Sequence, residues 1–341
     1  MSPERNSAEK VQKLAEVLRG RARLLVFLQT PPDPDALASA AALLQVAEVA
    51  AGIKGQIVYQ DMLGRVENKA MVRDLKLELV RAKDVTVAPE DAVALVDTQP
   101  LTGNNCLPPD VAPHIVIDHH PIRDATRKAP FTDVQSPYGA TSSILAEYLQ
   151  VLRIQPSARL ATALLYGIRS DTDDLGREAS KADIDNTMFL YPLADKRLLA
   201  RIERERVPMA YFHTLADALR QAVVYGRVVI SHMHTLDNPD AAGEMADLLM
   251  RLEDVDAAFC YGQFDQTLVL SLRCFADKVH AGEVMRKIVD GIGTGGGHGV
   301  TAGGQVPLDG AAAERRLRRL VRERSRRLLK ADMKSRRKLL A

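Results

Sequence analysis

Short apolar runs alternate with helical patterns through the first two-thirds of the chain, as in proteins that arrange strand–helix units around a parallel sheet. Four runs have the length and composition of buried strands: Leu24–Leu28, Gly55–Tyr59, Ala92–Val96 and His114–Ile117. A 3.6-residue periodicity predicts helices that begin at Ala36 and that cover Thr141–Leu152 and Ser157–Ile168. The pattern therefore predicts an α/β domain with a largely parallel sheet.

A second α/β segment follows a stretch, Ser180–Tyr225, that is helical in pattern and contains no strong strand. We interpret that stretch as the end of the first domain plus a helical connector. The elements predicted beyond it are a strand at Arg227–His232, a helix at Gly243–Leu252, strands at Ala257–Tyr261 and Thr267–Arg273, a helix near Gly282–Val289 and a glycine-rich loop. The predicted parts are a first domain at 1–195, a connector at 196–225, a smaller α/β domain with a mixed sheet at 226–310 and a basic helical tail at 311–341.

Composition narrows the class of protein. The 341 residues are 46% hydrophobic and 26% charged, which is typical of a globular protein with one large domain or two. Aromatic residues make up 4% and Trp is absent, so a platform that stacks single-stranded bases is not expected.

The cysteines, Cys106, Cys260 and Cys274, lack zinc-like spacing and cannot all pair, which favours a reducing compartment. Met1–Arg21 lacks the apolar core of a signal peptide and no apolar run could span a bilayer, so we expect a cytoplasmic protein without membrane contact.

The net charge of +2 is unevenly distributed along the chain. Residues 311–341 contain thirteen Lys/Arg and three Asp/Glu, so this tail carries +10 and the rest of the chain −8. Four apolar residues fall on one helical face of the tail among arginines: Leu317, Leu320, Val321 and Leu328. The sequence leaves two alternatives open for this helix, contact with RNA or packing of its leucines on the acidic body, and membrane binding is less favoured.

Acidic residues and histidines come after several predicted strands. The clusters are Asp33-Pro34-Asp35, Asp97, Asp118-His119-His120 and, after a helix, Asp171-Thr172-Asp173. Each cluster alone is commonly a turn, a helix cap or a surface loop. In open α/β sheets, however, ligands bind in the crevice beyond the carboxyl ends of the strands. Carboxylates gathered there repel one another unless a cation offsets their charge, and a set of carboxylates with imidazole suits Mn²⁺ or Mg²⁺.

These clusters and two later segments resemble the motifs of a known family. Phe27–Ser39, Val96–Thr98, Ile117–Pro121 and Ser170–Thr172 are similar to the four motifs of the DHH phosphoesterases, and Ser271–Arg273 and Gly295–Gly303 are similar to motifs of their DHH-associated domain. The resemblance covers roughly residues 20 to 305, with the motifs in the expected order. The most similar branch is the nanoRNase/pAp-phosphatase type rather than the larger RecJ exonucleases. The resemblance implies a metal-binding catalytic domain in 1–195 and a substrate-binding domain in 226–310.

The resemblance also implies a role for each site residue. One metal ion would be held by Asp33 and Asp97, and the other by Asp35, Asp97, His119 and Asp171, with Asp97 bridging the two. The ions would be Mn²⁺, with Mg²⁺ as the alternative. His120 would lie beside the scissile phosphate. The residues implied in binding the substrate phosphate or the terminal nucleotide are Arg273, Gly296, Gly297 and His298.

One position departs from the family pattern. Members of this branch normally carry a metal-ligating His four residues before the first motif Asp, and this chain has Gln29 there. A Gln carbonyl oxygen can coordinate a hard cation, but it is neutral and matches Mn²⁺ less well than imidazole does. We therefore expect the first metal site to be weakened, substituted or filled only when substrate is present.

The expected function is that of a phosphodiesterase or phosphatase acting by two-metal activation of water. Its substrates would be short oligonucleotides, linear dinucleotides or nucleoside 3′,5′-bisphosphates, and it would release nucleoside monophosphates. Two alternatives stay open: a weakened or inactive nucleotide- or RNA-binding protein, which Gln29 and the basic tail favour, and an enzyme on inorganic polyphosphate. The expected partners are a short RNA or DNA substrate and nucleic acid at the tail, and a homodimer is compatible with these features.

Two further features have a structural interpretation. Gly139–Ser143 precedes a helical pattern, which Thr141 or Ser142 would cap, although the N-terminus of this helix could instead face an anion. Four other histidines have no metal-like partner nearby in sequence and are interpreted as structural: His213, His232, His234 and His280.

Overall fold

The structure, a computed structural model, describes residues 3–60, 62–275 and 280–340, and within these ranges the side chains of 3–5, 298 and 311–313 are left out. The chain divides into two compact units, Met1–Arg206 and Val207–Ala341. The division falls inside the segment predicted as a connector, and the predicted tail belongs to the second unit. Among the described residues, no helix is both long and apolar enough to cross a bilayer.

The first unit is built on a parallel sheet whose described strands follow the order β3-β2-β1-β4-β5-β6. Its strands are β1 (Leu24–Phe27), β2 (Gly55–Tyr59), β3 (Leu79–Arg81), β4 (Ala92–Val96), β5 (Ile115–Asp118) and β6 (Phe131–Val134). Strands β1 and β4 are buried along their whole length, because parallel sheets are covered on both faces and their strands are continuously apolar. The predicted α/β fold is therefore confirmed, and β1, β4 and β5 lie side by side.

Helices cover this sheet. They are α1 (Pro3–Leu18), α2 (Pro34–Ala51), α3 (Val66–Leu75), α4 (Thr141–Val151), α5 (Ala158–Asp171), α6 (Lys181–Leu190) and α7 (Lys196–Glu203). The α2 helix begins where the Asp33 carboxylate accepts the Ala36 backbone N–H over 2.9 Å, and Pro34 occupies its first turn. Its alanine-rich surface is almost entirely buried, which lets α4 and α5 pack closely against it.

Gly167 shows how closely α5 approaches the end of the sheet. A Cβ atom at this position would lie 2.4 Å from Ser142 Oγ and 3.1 Å from the Cα atom of Asp35. Only a residue without a side chain fits there, so the packing of α5 brings its C-terminal residue, Asp171, to the segments that follow β1 and β5.

The second unit contains a mixed sheet, whose described strands follow the order β11-β12-β10-β9-β8-β7-β13. Strands β8 and β9 are parallel, and the other neighbours are antiparallel. The strands are β7 (Val223–Tyr225), β8 (Val228–Thr235), β9 (Ala257–Phe264), β10 (Thr267–Cys274), β11 (Thr294–His298), β12 (Thr301–Pro307) and β13 (Arg336–Lys338). The helices are α8 (Met209–Gln221), α9 (Ala241–Leu249), α10 (Ala281–Val289) and α11 (Ala311–Leu328). The predicted mixed sheet is confirmed.

The prediction of a glycine-rich loop is wrong, because Gly295–Gly297 lie in strand β11 and pair with β12. Glycines provide no alternating apolar pattern, so the sequence contains no strand signal there. Close packing of α10 explains Gly295 and, on the neighbouring β12, Gly304, since a Cβ atom at Gly295 would lie 2.9 Å from Met285 Cγ and one at Gly304 would lie 2.8 Å from Met285 Sδ.

The basic tail packs on the second unit instead of extending from it. Leu317 and Val321 of α11 are buried in the same apolar cluster as Met285 and Ile288 of α10. Residues Arg336–Lys338 form β13, which pairs with β7 at the edge of the sheet. The structure therefore supports the packing alternative for the apolar face of the tail.

Candidate metal centre

Acidic residues meet at the carboxyl ends of three neighbouring strands of the first unit. Asp33 and Asp35 follow β1, Asp97 follows β4, and His119 and His120 follow β5. Because parallel strands end at the same edge, this topology gathers residues that are far apart in sequence. Asp171, at the C-terminus of α5, joins them from the helical layer.

Four of these residues form a compact set of possible ligands. One donor atom from each of Asp35, Asp97, His119 and Asp171 lies within 4.8 Å of all the others. His119 Nε2 is 3.5 Å from Asp97 Oδ1 and 3.4 Å from Asp171 Oδ2. Three carboxylates and an imidazole in such a cluster have the chemistry of a Mn²⁺ or Mg²⁺ site, so these residues fit the implied metal.

The N-terminus of α4 holds Asp35 in place. The backbone N–H groups of Thr141 and Ser142 donate to its two carboxylate oxygens over 2.7 and 2.8 Å. The expectation that Thr141 or Ser142 caps this helix is wrong, because neither side chain makes a cap hydrogen bond. The helix terminus faces an anion, as the alternative proposed, and that anion is a side chain of the protein itself.

Asp97 is fixed both through its backbone and through its side chain. Its backbone has φ of +56°, a left-handed conformation that Asp tolerates better than most residues. Its N–H donates to the Ile117 carbonyl over 3.0 Å, and its Oδ1 accepts the Thr141 hydroxyl over 3.0 Å. The turn therefore directs the Asp97 carboxylate into the cluster.

The two histidines are oriented by different partners. His119 Nδ1 lies 3.1 Å from the Tyr138 carbonyl oxygen, which accepts its N–H and turns Nε2 towards the carboxylates. His120 Nδ1 lies 2.8 Å from Asp118 Oδ1, and Asp118 Oδ2 accepts the Gln99 side-chain N–H over 2.6 Å. Asp118 is thus a positioning residue for His120.

Sequence reasoning missed three of these contributors. Asp118 lies within the Asp-His-His cluster but was given no role of its own, although its position next to the histidines was a signal. Thr141 was predicted as a helix cap, and its contact with Asp97 was not foreseen; Gln99 gave no signal, because its contact with Asp118 depends on segments that meet only in the folded chain.

Gln29 contacts the carboxylates through its nitrogen. Its Nε2 donates to Asp33 Oδ2 over 2.6 Å and to Asp97 Oδ2 over 3.2 Å. An amide oxygen in that place would face two carboxylate oxygens and be repelled, so the N–H₂ group belongs there. Gln29 therefore bridges the two carboxylates that the family pattern assigns to the first metal.

Burial and mutual repulsion disturb the ionisation of the cluster. Burial, with the charges of Asp171 and Asp35, raises the pKa of Asp33 to about 7. Burial and the charge of Asp171 raise the pKa of Asp35 to about 6, and burial and the neighbouring carboxylates also raise the pKa of Asp97. For His119, burial lowers the pKa, but the hydrogen bond and charge of Asp171 outweigh burial and raise the pKa to about 10. A bound divalent cation would relieve the repulsion that raises the carboxyl pKa values.

The substrate residues implied by the resemblance lie together in the second unit. Arg273, Thr301 and position 298 form one register row across β10, β12 and β11, and Ser271, Gly303 and Gly296 form another. Arg273 Nε is 2.5 Å from Asp247 Oδ1, and its Nη1 donates to Ser271 Oγ over 2.9 Å. A Cβ atom at Gly296 would meet nothing within 4 Å, so the strand is open on that side. The His298 side chain lies outside the described part of the chain, and Gly297 follows Gly296 in β11.

Comparisons with known proteins identify the family of domains in both units. Residues 23–168 match the model of the DHH family, N-terminal domain, and residues 223–327 match the model of the DHHA1 domain. The uncharacterized protein MJ1633 of Methanocaldococcus jannaschii is 35% identical over 318 residues, which cover 92% of this chain and 64% of that protein.

Two solved structures share the fold. An exopolyphosphatase-related protein from Bacteroides fragilis matches with a TM-score of 0.71 and 13% identity, over 94% of this chain and 98% of that one. The DHH domain of PF0399, which is described as a member of a family of ribosomal proteins, matches with a TM-score of 0.50 and 12% identity, over 97% and 93% of the two chains. At these identities the likeness concerns the fold alone.

Proposed function

Because the chain belongs to the DHH family and carries a DHHA1 domain, we propose that it is a metal-dependent phosphoesterase acting on short nucleotide substrates. The substrates we assign are short oligonucleotides, linear dinucleotides or nucleoside 3′,5′-bisphosphates, with nucleoside monophosphates as products. The observation that carries the proposal is the set of Asp35, Asp97, His119 and Asp171, in which one donor atom from each residue lies within 4.8 Å of the others and only Asp171 is partly exposed.

The chain's own residues prepare this set for a cation. The α4 N-terminus holds the Asp35 carboxylate, Thr141 holds that of Asp97, and the Tyr138 carbonyl fixes the His119 ring. When bound, Mn²⁺ or Mg²⁺ supplies Lewis acidity, which activates water and neutralises charge on a phosphoryl group. We assign the tighter of two ions to this set. The weaker ion belongs to Asp33 and Asp97, where the neutral Gln29 amide donates to both carboxylates.

We assign His120 to the scissile phosphate. Its Nδ1 is held by Asp118, so the ring presents Nε2 as the atom that meets a phosphate oxygen or the leaving group. Asp118 is buried, and although burial alone would raise its pKa, the hydrogen bond and charge of His120 lower the pKa of this carboxyl. The Asp118 carboxylate therefore fixes the orientation of the His120 ring, which suits a residue that contacts the phosphate or the leaving group.

We assign the second phosphate or the terminal nucleotide to Arg273, Gly296, Gly297 and His298. The open strand at Gly296 lets a ligand approach the backbone closely. A guanidinium binds phosphate through paired N–H groups, and at Arg273 a phosphate would share or replace the Asp247 carboxylate as partner.

A second candidate function is supported by Gln29. An amide that donates to Asp33 and Asp97 occupies the pair expected to hold one metal, which fits a protein that binds nucleotides but hydrolyses them slowly or not at all. The two candidate functions differ in whether the bound nucleotide is hydrolysed, but both require the protein to bind the same nucleotides.

Hydrolysis of a substrate panel by the purified full chain with Mn²⁺ tests the proposal. The panel contains 5′-phosphorylated RNA and DNA dinucleotides, a pentamer, 3′-phosphoadenosine-5′-phosphate and polyphosphate. Release of mononucleotide by the wild type, and its loss in Asp97→Asn with an unchanged circular dichroism spectrum, would support the phosphoesterase. Intact substrates together with dinucleotide binding in calorimetry would favour the binding protein, and phosphate release from polyphosphate alone would contradict both.

A further inference from the structure

The basic residues of α11 and β13 belong to two structurally distinct groups. Leu317, Val321 and Leu329 are buried, with 8%, 0% and 6% exposure, and Leu320 and Leu328 of α11 are half-buried. Because the apolar side of α11 is used for packing, the charged residues occupy the flanks and the outer side of the helix.

Three arginines of α11 have partners in the second unit. Arg318 donates to His232 Nε2 over 3.0 Å and to Gln263 Oε1 over 2.7 Å. Arg324 Nη1 donates to the carbonyls of Ile288 and Asp290, over 2.8 and 2.7 Å, at the C-terminal end of α10. Arg326 donates to the Tyr225 hydroxyl, and its guanidinium lies 4.9 Å from the centre of that ring. These arginines attach the tail to the sheet.

Most of the remaining basic residues point into solvent. Seven exposed members, which we call the basic face, are Arg315, Arg316, Arg322, Arg327, Arg336, Arg337 and Lys338. Within the part of the chain that the structure describes, no carboxylate lies in ion-pair distance of these seven residues, whereas Arg319 on the same side pairs with Glu323 at 2.8 Å.

The strand part of the basic face adjoins the helical part at Arg336, whereas Arg337 is in register with Val224 and points to the other side of the sheet. Tyr225 of β7 pairs in register with Arg336 of β13, and the same Tyr225 is covered by Arg326 of α11. An 18-residue helix is about 27 Å long, so the face presents positive charge over the length of several nucleotides.

We propose that the basic face binds single-stranded RNA through its phosphates. Seven positive groups without acidic partners suit a polyanion. An amphipathic helix that enters a bilayer needs an exposed apolar side, and the apolar side of α11 is buried. The basic face contains no aromatic residue for base stacking, so binding is insensitive to base sequence. RNA is the assigned occupant because a guanidinium has five N–H donors, and the 2′-hydroxyl beside each phosphate adds an acceptor that DNA lacks.

This inference goes beyond the proposed function, because the basic face contains none of the metal or substrate residues assigned above. Its test is a binding measurement in EDTA, where metal-dependent hydrolysis is absent, so the two proposals fail or succeed separately. A bound strand would keep RNA fragments close to a protein that hydrolyses them, but binding itself requires no turnover.

Fluorescence anisotropy with a labelled single-stranded RNA of about 12 nucleotides, long enough to follow α11, provides the test. The variant is Arg315→Gln/Arg316→Gln/Arg322→Gln/Arg327→Gln in the full chain. Each phosphate contact on a single strand contributes about −0.7 to the slope of log K against log salt. We expect the variant to reduce the slope by about 3 and the affinity at least tenfold at about 0.1 M salt.

A matched control removes four exposed charges from the first unit: Lys54→Gln/Arg153→Gln/Arg159→Gln/Arg197→Gln. Its affinity should stay within about twofold of the wild type, since these residues lie outside the basic face. Arg336→Gln/Arg337→Gln/Lys338→Gln should weaken binding as the helix variant does. Equal binding by wild type and helix variant, an equal loss in the control, tighter binding of DNA than of RNA of the same sequence, or binding of anionic vesicles without RNA would each overturn the proposal.

Discussion

Gln29 Nε2 lies 2.6 Å from Asp33 Oδ2, and the same nitrogen lies 3.2 Å from Asp97 Oδ2. The amide therefore bonds to both carboxylates of one implied metal site, while Asp35, Asp97, His119 and Asp171 form a second set of donors that shares Asp97 with the first. This relationship predicts that the two implied metal positions differ in their affinity for metal.

Gln29→His should strengthen the weaker metal position. Imidazole supplies a lone pair at the point where the amide supplies N–H groups, so the variant should bind a second Mn²⁺ ion tightly where the wild type binds one. Calorimetric titration and electron paramagnetic resonance of Mn²⁺ measure the stoichiometry. Gln29→Ala removes the amide without adding a ligand and serves as the control. An unchanged number of tight ions in Gln29→His would contradict the unequal sites.

Asp118→Asn should lower kcat and leave metal affinity unchanged. Without the carboxylate, the His120 ring loses the partner that orients it, and an effect of about 10²-fold is typical of general acid–base groups. Steady-state kinetics on a dinucleotide measures the loss. If Asp118 acts through His120, the double variant Asp118→Asn/His120→Asn should be no slower than His120→Asn alone. A further loss in the double variant would show that Asp118 acts independently.

Protons should compete with metal in the cluster. The pKa of Asp33 is raised to about 7 and that of Asp35 to about 6, so between about pH 4 and 7 the native metal-free chain binds more protons than the unfolded chain. These groups therefore lower the free energy of unfolding as pH rises through this window. A bound Mn²⁺ ion would offset the negative charge of the ionised carboxylates.

The increase in melting temperature caused by Mn²⁺ should consequently grow from pH 5 to pH 8. Thermal unfolding with and without Mn²⁺ across this range measures the effect. A variant with Asp35→Asn and Asp97→Asn should show little Mn²⁺ stabilisation at any pH. Stabilisation that is the same at pH 5 and pH 8 would contradict the raised pKa values.

Gly167→Ala should destabilise the first unit by about 1–3 kcal/mol, the usual effect of overpacking. The new Cβ atom would lie 2.4 Å from Ser142 Oγ and 3.1 Å from the Cα atom of Asp35, so it should also weaken Mn²⁺ binding. Chemical denaturation and metal titration measure the two effects. Adding Ser142→Ala removes the closest atom and should restore part of the stability, whereas full stability in Gly167→Ala alone would contradict the close approach.

Much of the fold was determined by the sequence alone. Runs such as Ala92–Val96 are apolar throughout, and buried parallel strands require this because both faces of the sheet are covered. Once the strands are parallel, their carboxyl ends share an edge, so the acidic residues after β1, β4 and β5 must meet. Local pattern and chain direction together were therefore sufficient to predict the four inner strands and the gathering of the cluster, whereas the short edge strands β3 and β6 were not predicted.

Only the tertiary structure decided which contacts orient the site residues and which arginines of the tail have partners in the second unit. The α4 N-terminus reaches Asp35 across more than a hundred residues, Gln29 presents nitrogen because two carboxylates surround it, and β11 exists through its pairing with β12. In the tail, Arg322 and Arg326 lie one turn apart on the same side of α11, yet Arg326 reaches the Tyr225 side chain whereas Arg322 is exposed. Hydrogen bonds and burial of this kind depend on distances between remote segments, and a periodic pattern along one segment carries no information about those distances.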